Sequence, residues 1–128
     1  MVEHKQRGEW RMVLKIEMFK PHFLEIWSGS IDAGDTETIE YTFEDNLTIV
    51  RLFIWASDGS DLYDVVMTLR IEDEYITHDS IPCQMFNTNY HRAPVLNWNV
   101  VNGNKLNLSI TNNKTSAISL RVFVEVVK

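Results

Sequence analysis

The sequence predicts an all-β fold, an antiparallel β-sandwich of about eight strands with a jelly-roll-like arrangement, occupying residues 1–128 as a single domain. Three observations carry this expectation. Apolar and polar residues alternate at period two through most of the chain, which marks strands with one buried face. Clusters of Gly, Asn, Asp, Ser and Pro interrupt that alternation about every ten residues. No segment sustains a helical period.

Taken in order, a first strand is predicted from about Trp10 to Phe19, with a break at Lys20-Pro21 and a short second strand from His22 to Trp27. Ser28 to Asp35 reads as a loop, and Ile39, Tyr41 and Phe43 alternate with Thr38, Glu40 and Thr42 in the strand that follows. Leu47 to Trp55 is almost continuously apolar, as expected of a central strand covered on both faces. After the loop Ser57-Asp58-Gly59-Ser60-Asp61, the alternation of Tyr63, Val65, Met67, Leu69 and Ile71 marks another strand. Tyr75 to Pro94 is the least regular stretch and reads as a long excursion between sheets, a kind of segment that often carries function.

Asn102-Gly103-Asn104 is the strongest turn signal, and predicts a tight hairpin between a strand over Val95 to Val101 and one starting at Lys105. Leu106, Leu108 and Ile110 then alternate, and Thr111 to Ser116 predicts a second hairpin loop into Ile118, Leu120, Val122, Val124 and Val126. Phe123 is an apolar exception on the opposite face of that last strand. By the same alternation Trp27 and Trp55 are assigned to the core, whereas Trp98 between two asparagines has no clear side.

A chain of 128 residues, 45% hydrophobic and 23% charged, suits one packed core. The net charge of −6 disfavours a phosphate-binding surface, so no nucleic-acid partner is expected. The single cysteine, Cys83, precludes an intrachain disulfide and reads as a small buried hydrophobe. The first residues lack the apolar stretch of a signal peptide, and no run is long enough for a membrane span. The expectation is therefore a soluble protein, cytoplasmic or within a virion.

Candidate chemistry is sparse. Asp58, Asp61 and Asp64, with Gly59 and Ser60 between them, gather oxygen ligands of the kind calcium takes, although acidic residues also favour turns for local reasons. Asp32 and Asp35 repeat the ambiguity. The histidines at 4, 22, 78 and 91 form no metal-binding spacing. An enzyme would draw on Cys83, His78 and His91 in the Tyr75 to Pro94 segment, or on Glu25, Glu40 and Glu72 as acid and base. Neither set falls in a recognised motif.

The hairpin tips Asn102-Gly103-Asn104 and Thr111-Asn112-Asn113, the run Leu106 to Ile110, and the closing strand from Ile118 to Val127 resemble the single jelly-roll sandwiches of viral and phage structural proteins. That resemblance implies a non-enzymatic capsid, decoration or spike component that self-associates through strand edges and loops, as a homo-oligomer or with an assembly partner. The alternatives are a carbohydrate-binding sandwich with aromatic side chains at the glycan, supported by calcium, and a small enzyme.

Overall fold

The structure is a computed structural model that describes residues 22–87 and 92–128. The strand expected over Trp10 to Phe19 lies outside the described residues. Within them, nine strands form two antiparallel sheets. β1 (His22–Ile31), β9 (Ile118–Val127), β3 (Leu47–Ala56) and β7 (Val95–Val100) make a four-stranded sheet in the order β1-β9-β3-β7. β2 (Thr36–Thr42), β8 (Lys105–Asn112), β4 (Val65–Ile71) and β5 (Glu74–Tyr75) make the second, with β6 (Ile81–Pro82) also paired to β4. A short 3-10 turn, Cys83–Phe86, follows β6.

The pairings are nested. β1 lies beside β9, β2 beside β8, β3 beside β7, and β4 beside β5 and β6. The chain is thus one long antiparallel ribbon, folded back on itself near β5 and β6. Wrapping the ribbon brings β9 against β3 and β8 against β4. This is the jelly-roll pattern, in which successive long strands belong to opposite sheets. Each crossover consequently travels beside a second one. Residues 32–35 run with the β8–β9 connection, through Gly34 N–H to Asn112 O (2.7 Å) and Asn112 N–H to Asp35 O (2.9 Å). Residues 43–46 run with 101–104, through Phe43 N–H to Asn104 O (2.9 Å) and Gly103 N–H to Phe43 O (2.8 Å).

Asn102-Gly103-Asn104 and Thr111 to Ser116 are therefore crossovers between the sheets rather than hairpins within one. The turn chemistry is as expected, since Gly103 adopts φ +93°, a left-handed conformation that a side chain disfavours. What local chemistry does not specify is the partner: these loops bond to another loop instead of closing a ladder.

The core fills the space between the sheets. Val65, Met67, Leu69 and Ile71 of β4 meet Ile118, Leu120, Val122, Val124 and Val126 of β9, all of them buried. Each such side chain contributes about 1.5–3 kcal/mol on burial. Two bulges modify the simple alternation. In β1 the register shifts between Glu25 and Trp27, and in β3 between Ile49 and Arg51. Beyond the first, Trp27 packs against the core and the strand runs on to Ile31, so the first half of the loop expected over Ser28 to Asp35 is strand. Beyond the second, Leu52, Ile54 and Ala56 face inward, and Trp55 points outward and is exposed, not in the core. Tyr63 precedes β4 and is exposed as well, whereas Trp98 packs at the edge of the core.

Candidate functional site

Three surfaces of the sandwich carry chemistry beyond what folding requires. The first is the outward face of the four-stranded sheet. Register places its side chains in rows across the strands: Phe23, Glu125, Arg51 and Val95; then Glu25, Phe123 and Phe53; then Ser28, Arg121 and Trp55. The rings form a chain, with centroids 6.1 Å apart for Phe23 and Phe53, 5.8 Å for Phe53 and Trp55, and 5.2 Å for Trp55 and Phe123. The Arg121 guanidinium lies 4.9 Å from the Phe123 centroid and meets Glu25 at 2.6 Å. Arg51 meets Glu125 at 3.0 Å. Phe53 and Glu125 are each only 2% exposed, although both point away from the core.

The second surface is a cleft of about 350 Å³ where β1 and β2 meet at one end of the sandwich. Tyr41 and Phe43 stand edge to face there, with centroids 5.1 Å apart. His22, Glu44, Asp45 and Lys128 line the rim, and Asp45 pairs with Lys128 at 3.0 Å.

The third is the flank where both sheets end in short or irregular strands. β7 pairs only with β3, and β5 only with β4, among the described residues. Tyr75 of β5, Met85 of the 3-10 turn and Tyr63 of the neighbouring loop are exposed there. The loop is tied to the turn through Leu62 N–H to Gln84 Oε1 (2.6 Å) and Asn87 Nδ2 to Ser60 O (3.2 Å). The opposite flank differs in chemistry. β2 presents Thr36, Thr38, Glu40 and Thr42 to solvent, and β1 presents Glu25, Ser28 and Ser30 beyond the exposed Phe23. Charged and hydroxylic edges of this kind resist pairing with another chain.

The acidic loop serves its own turn. Asp58 Oδ1 accepts from Ser60 N–H (2.9 Å) and Ser60 Oγ–H (2.7 Å), and these bonds hold its carboxyl below the usual carboxylate range. Asp61 lies 4.0 Å from Lys114 Nζ, and Asp64 contributes its backbone carbonyl to Asn113 N–H (2.9 Å). Among the described residues, no three of His, Cys, Asp or Glu are brought together as a set that would hold a metal ion. Asp32 and Asp35 are exposed on the first crossover.

Among the described residues, those considered for catalysis do not gather into one cluster. Cys83 is fully buried, and burial pushes its thiol up to about 12, leaving a shielded, protonated sulfur. His78 is exposed, and His4 and His91 lie outside the described residues. Glu25 is engaged by Arg121 on one sheet, whereas Glu40 on the other pairs with Lys105 at 3.4 Å. Glu72 accepts from Lys105 N–H at 2.6 Å.

Phe123, an apolar residue on the polar side of its strand, is the one signal of the aromatic face that alternation offers. The bulge at residue 50 hides the side it shares with Phe53 and Trp55. No helix among the described residues is long and apolar enough to cross a membrane. Compared with known families and with curated proteins, the chain matches no family model and no curated sequence.

Proposed function

We propose that this chain is a non-enzymatic structural and interaction protein that self-associates through strand edges and loops, and that the flank of β5, the 3-10 turn and β7 is the joining surface. The observation that carries this reading is the contrast between the two flanks. One is lined by Glu40, Glu25 and hydroxyls, with Phe23 at the start of β1, while the other exposes Tyr75, Met85 and Tyr63 beside two strands whose outer edges have no partner among the described residues. Aromatic and methionine side chains are enriched in the centres of protein interfaces, and unpaired edges add backbone hydrogen bonds across them. The shielded thiol of Cys83 and the separation of Glu25 from Glu40 support a non-enzymatic role.

The finer form of this reading is a virion component, a capsid, decoration or spike protein. Its support is the nested jelly-roll order, a scaffold used in viral shells as well as in lectins. The test is solution mass by light scattering over a dilution series. A defined, dilution-resistant oligomer is expected, and the double variant Tyr75→Lys/Met85→Lys dissociates it whereas Glu40→Lys does not. A monomer at every concentration overturns the proposal. Electron microscopy of the oligomer then tests the virion form, which requires a closed ring or shell. Running the series with and without a chelator reads whether calcium contributes through Asp58, Asp61 and Asp64.

A second reading, carbohydrate binding, is favoured by the Tyr41–Phe43 cleft, where an aromatic wall stands beside the polar groups of His22, Glu44 and Asp45. Glycan screening separates the two. Binding lost in Tyr41→Ala by a protein that stays monomeric supports the carbohydrate reading over assembly.

A further inference from the structure

The outer face of the five-stranded sheet is polar and carries a cation without a counter-charge. Register sets two rows of side chains across its strands, Thr38, Ser109 and Thr68 in one, and Glu40, Asn107, Arg70 and Tyr75 in the next. In β2, β8 and β4 these residues alternate with the buried Ile39, Leu108 and Leu69, which turns them away from the core. All of them except Glu40 line a groove of about 190 Å³.

Arg70 is the unusual group in this groove. Arg51, Lys105, Lys114, Arg121 and Lys128 each meet a carboxylate, whereas Arg70 meets none among the described residues. Its Cζ lies 5.8 Å from the centroid of the Tyr75 ring, and its Nε is buried with no hydrogen-bond partner among those residues. A ring below a guanidinium holds its flat side and leaves the N–H groups at its edge unused. The neutral groups beside it are also uncommitted to one another. In the neighbouring row the hydroxyls of Thr36 and Thr111 bond at 2.7 Å, but no such pair forms between Thr38, Ser109 and Thr68.

We propose that this groove binds a carboxylated sugar, with Arg70 on the carboxylate and Asn107, Thr68, Ser109 and Thr38 on the ring hydroxyls. The N–H groups of Arg match the two oxygens of a carboxylate. Hydroxyls and a carboxamide both donate and accept, as the hydroxyls of a sugar require. A phosphate dianion only accepts and carries twice the charge of the one cation, and Glu40 beside Asn107 is already matched by Lys105 at 3.4 Å. The volume limits the occupant to a single ring, since sites for drug-sized molecules hold about 300–1,000 Å³. The groove shares no lining residue with the Tyr41–Phe43 cleft, so the inference is independent of sugar binding there. Tyr75 borders both this groove and the joining flank, and the test leaves it unchanged.

Ligand-detected NMR on the full chain measures dissociation constants for glucuronate and N-acetylneuraminate against glucose, acetate and inorganic phosphate. One or both sugar acids are expected to bind more tightly than each of the other three by about tenfold. Arg70→Gln is expected to weaken that binding by about tenfold or more and Asn107→Ala by about threefold, with acetate unaffected by Asn107→Ala. Circular dichroism reports the fold, and Ser109→Ala replaces a variant that loses it. Glucose, acetate or phosphate binding as tightly as both sugar acids overturns the proposal, and so does binding of neither acid. Sugar-acid binding that persists in Arg70→Gln and vanishes in Tyr41→Ala places the sugar in the Tyr41–Phe43 cleft, and overturns it while supporting that separate reading.

Discussion

Asn112 donates its side-chain amide to the carbonyl of Ile31 at 2.9 Å, joining the end of β8 to the end of β1 across the gap between the sheets. The same amide reaches Ser116 O (3.0 Å), and its Oδ1 accepts from Lys114 N–H (2.9 Å), so one fully buried side chain ties together both crossovers at this end of the sandwich. A chain folded as a wrapped ribbon needs its paired crossovers held in register, and Asn112 does this with groups that no apolar residue supplies.

Asn112→Ala is expected to destabilise the fold by about 2–3 kcal/mol, because it leaves the buried Ile31 carbonyl without this partner and removes the half-buried bonds to Ser116 O and Lys114 N–H. Asn112→Asp keeps the acceptor but loses both donors and faces two carbonyls, so it is expected to cost at least as much. Urea denaturation checks both variants. A loss below about 1 kcal/mol for Asn112→Ala would show that the crossovers hold without it.

The alternation of β4, β8 and β9 was legible because each presents one face to the core without interruption. Val65, Met67, Leu69 and Ile71 are buried as the period requires, and so are Leu106, Leu108 and Ile110. β1 and β3 were less legible, because an extra residue in each strand inverts the parity halfway along. That is why Trp55 reads as core from its neighbours and Ser28 reads as loop. Sheet membership was not legible at Asn102 or Asn113, since turn chemistry sets a local bend while the hydrogen bonds that choose the sheet come from residues far along the chain, such as Phe43 and Asp35. The candidate surfaces were hidden for the same reason: Phe23, Phe53 and Phe123 meet only once β1, β3 and β9 are adjacent.

Cys83 links stability to alkaline pH. Its thiol ionises near 9.0 when exposed and near 12 when folded, so the folded chain holds a proton that the unfolded chain releases. The contribution is complete below pH 9.0 and is lost as pH rises toward 12, with a slope of about 1.4 kcal/mol per pH unit inside that window. Cys83→Ala is expected to flatten this part of the stability curve. The wild-type thiol should also resist a thiol reagent at neutral pH until denaturant is added. Rapid native-state modification would mean that the site opens without unfolding.

Asp58 acts at the other end of the scale. Its carboxyl is held below 3.8 by the Ser60 hydroxyl and amide, so it adds stability above that value and loses it as pH falls through the lowered one. Ser60→Ala removes the larger of the two bonds and is expected to bring the Asp58 titration back toward 3.8. A carboxyl-detected NMR titration reads the shift directly. An unchanged midpoint in Ser60→Ala would assign the effect to the backbone bond alone.

Gln84 tests whether the joining flank needs to be rigid. Its Oε1 accepts from Leu62 N–H (2.6 Å) and Asn87 Nδ2 (3.2 Å), clamping the loop that carries Tyr63 to the turn that carries Met85. Gln84→Ala removes the acceptor from a fully buried residue's amide, and is expected to cost about 1–2 kcal/mol and to speed exchange of the Leu62 amide. The side chain is at the flank and far in sequence from the crossovers tied by Asn112, so the sandwich itself should persist. An interface presented by a loosened loop must be ordered again on association, which weakens it. Light scattering should therefore show the Gln84→Ala oligomer dissociating at higher protein concentration than the wild type. Equal dissociation with the Leu62 amide demonstrably loosened would place the joining surface on the strand edges of β5 and β7 and away from the loop.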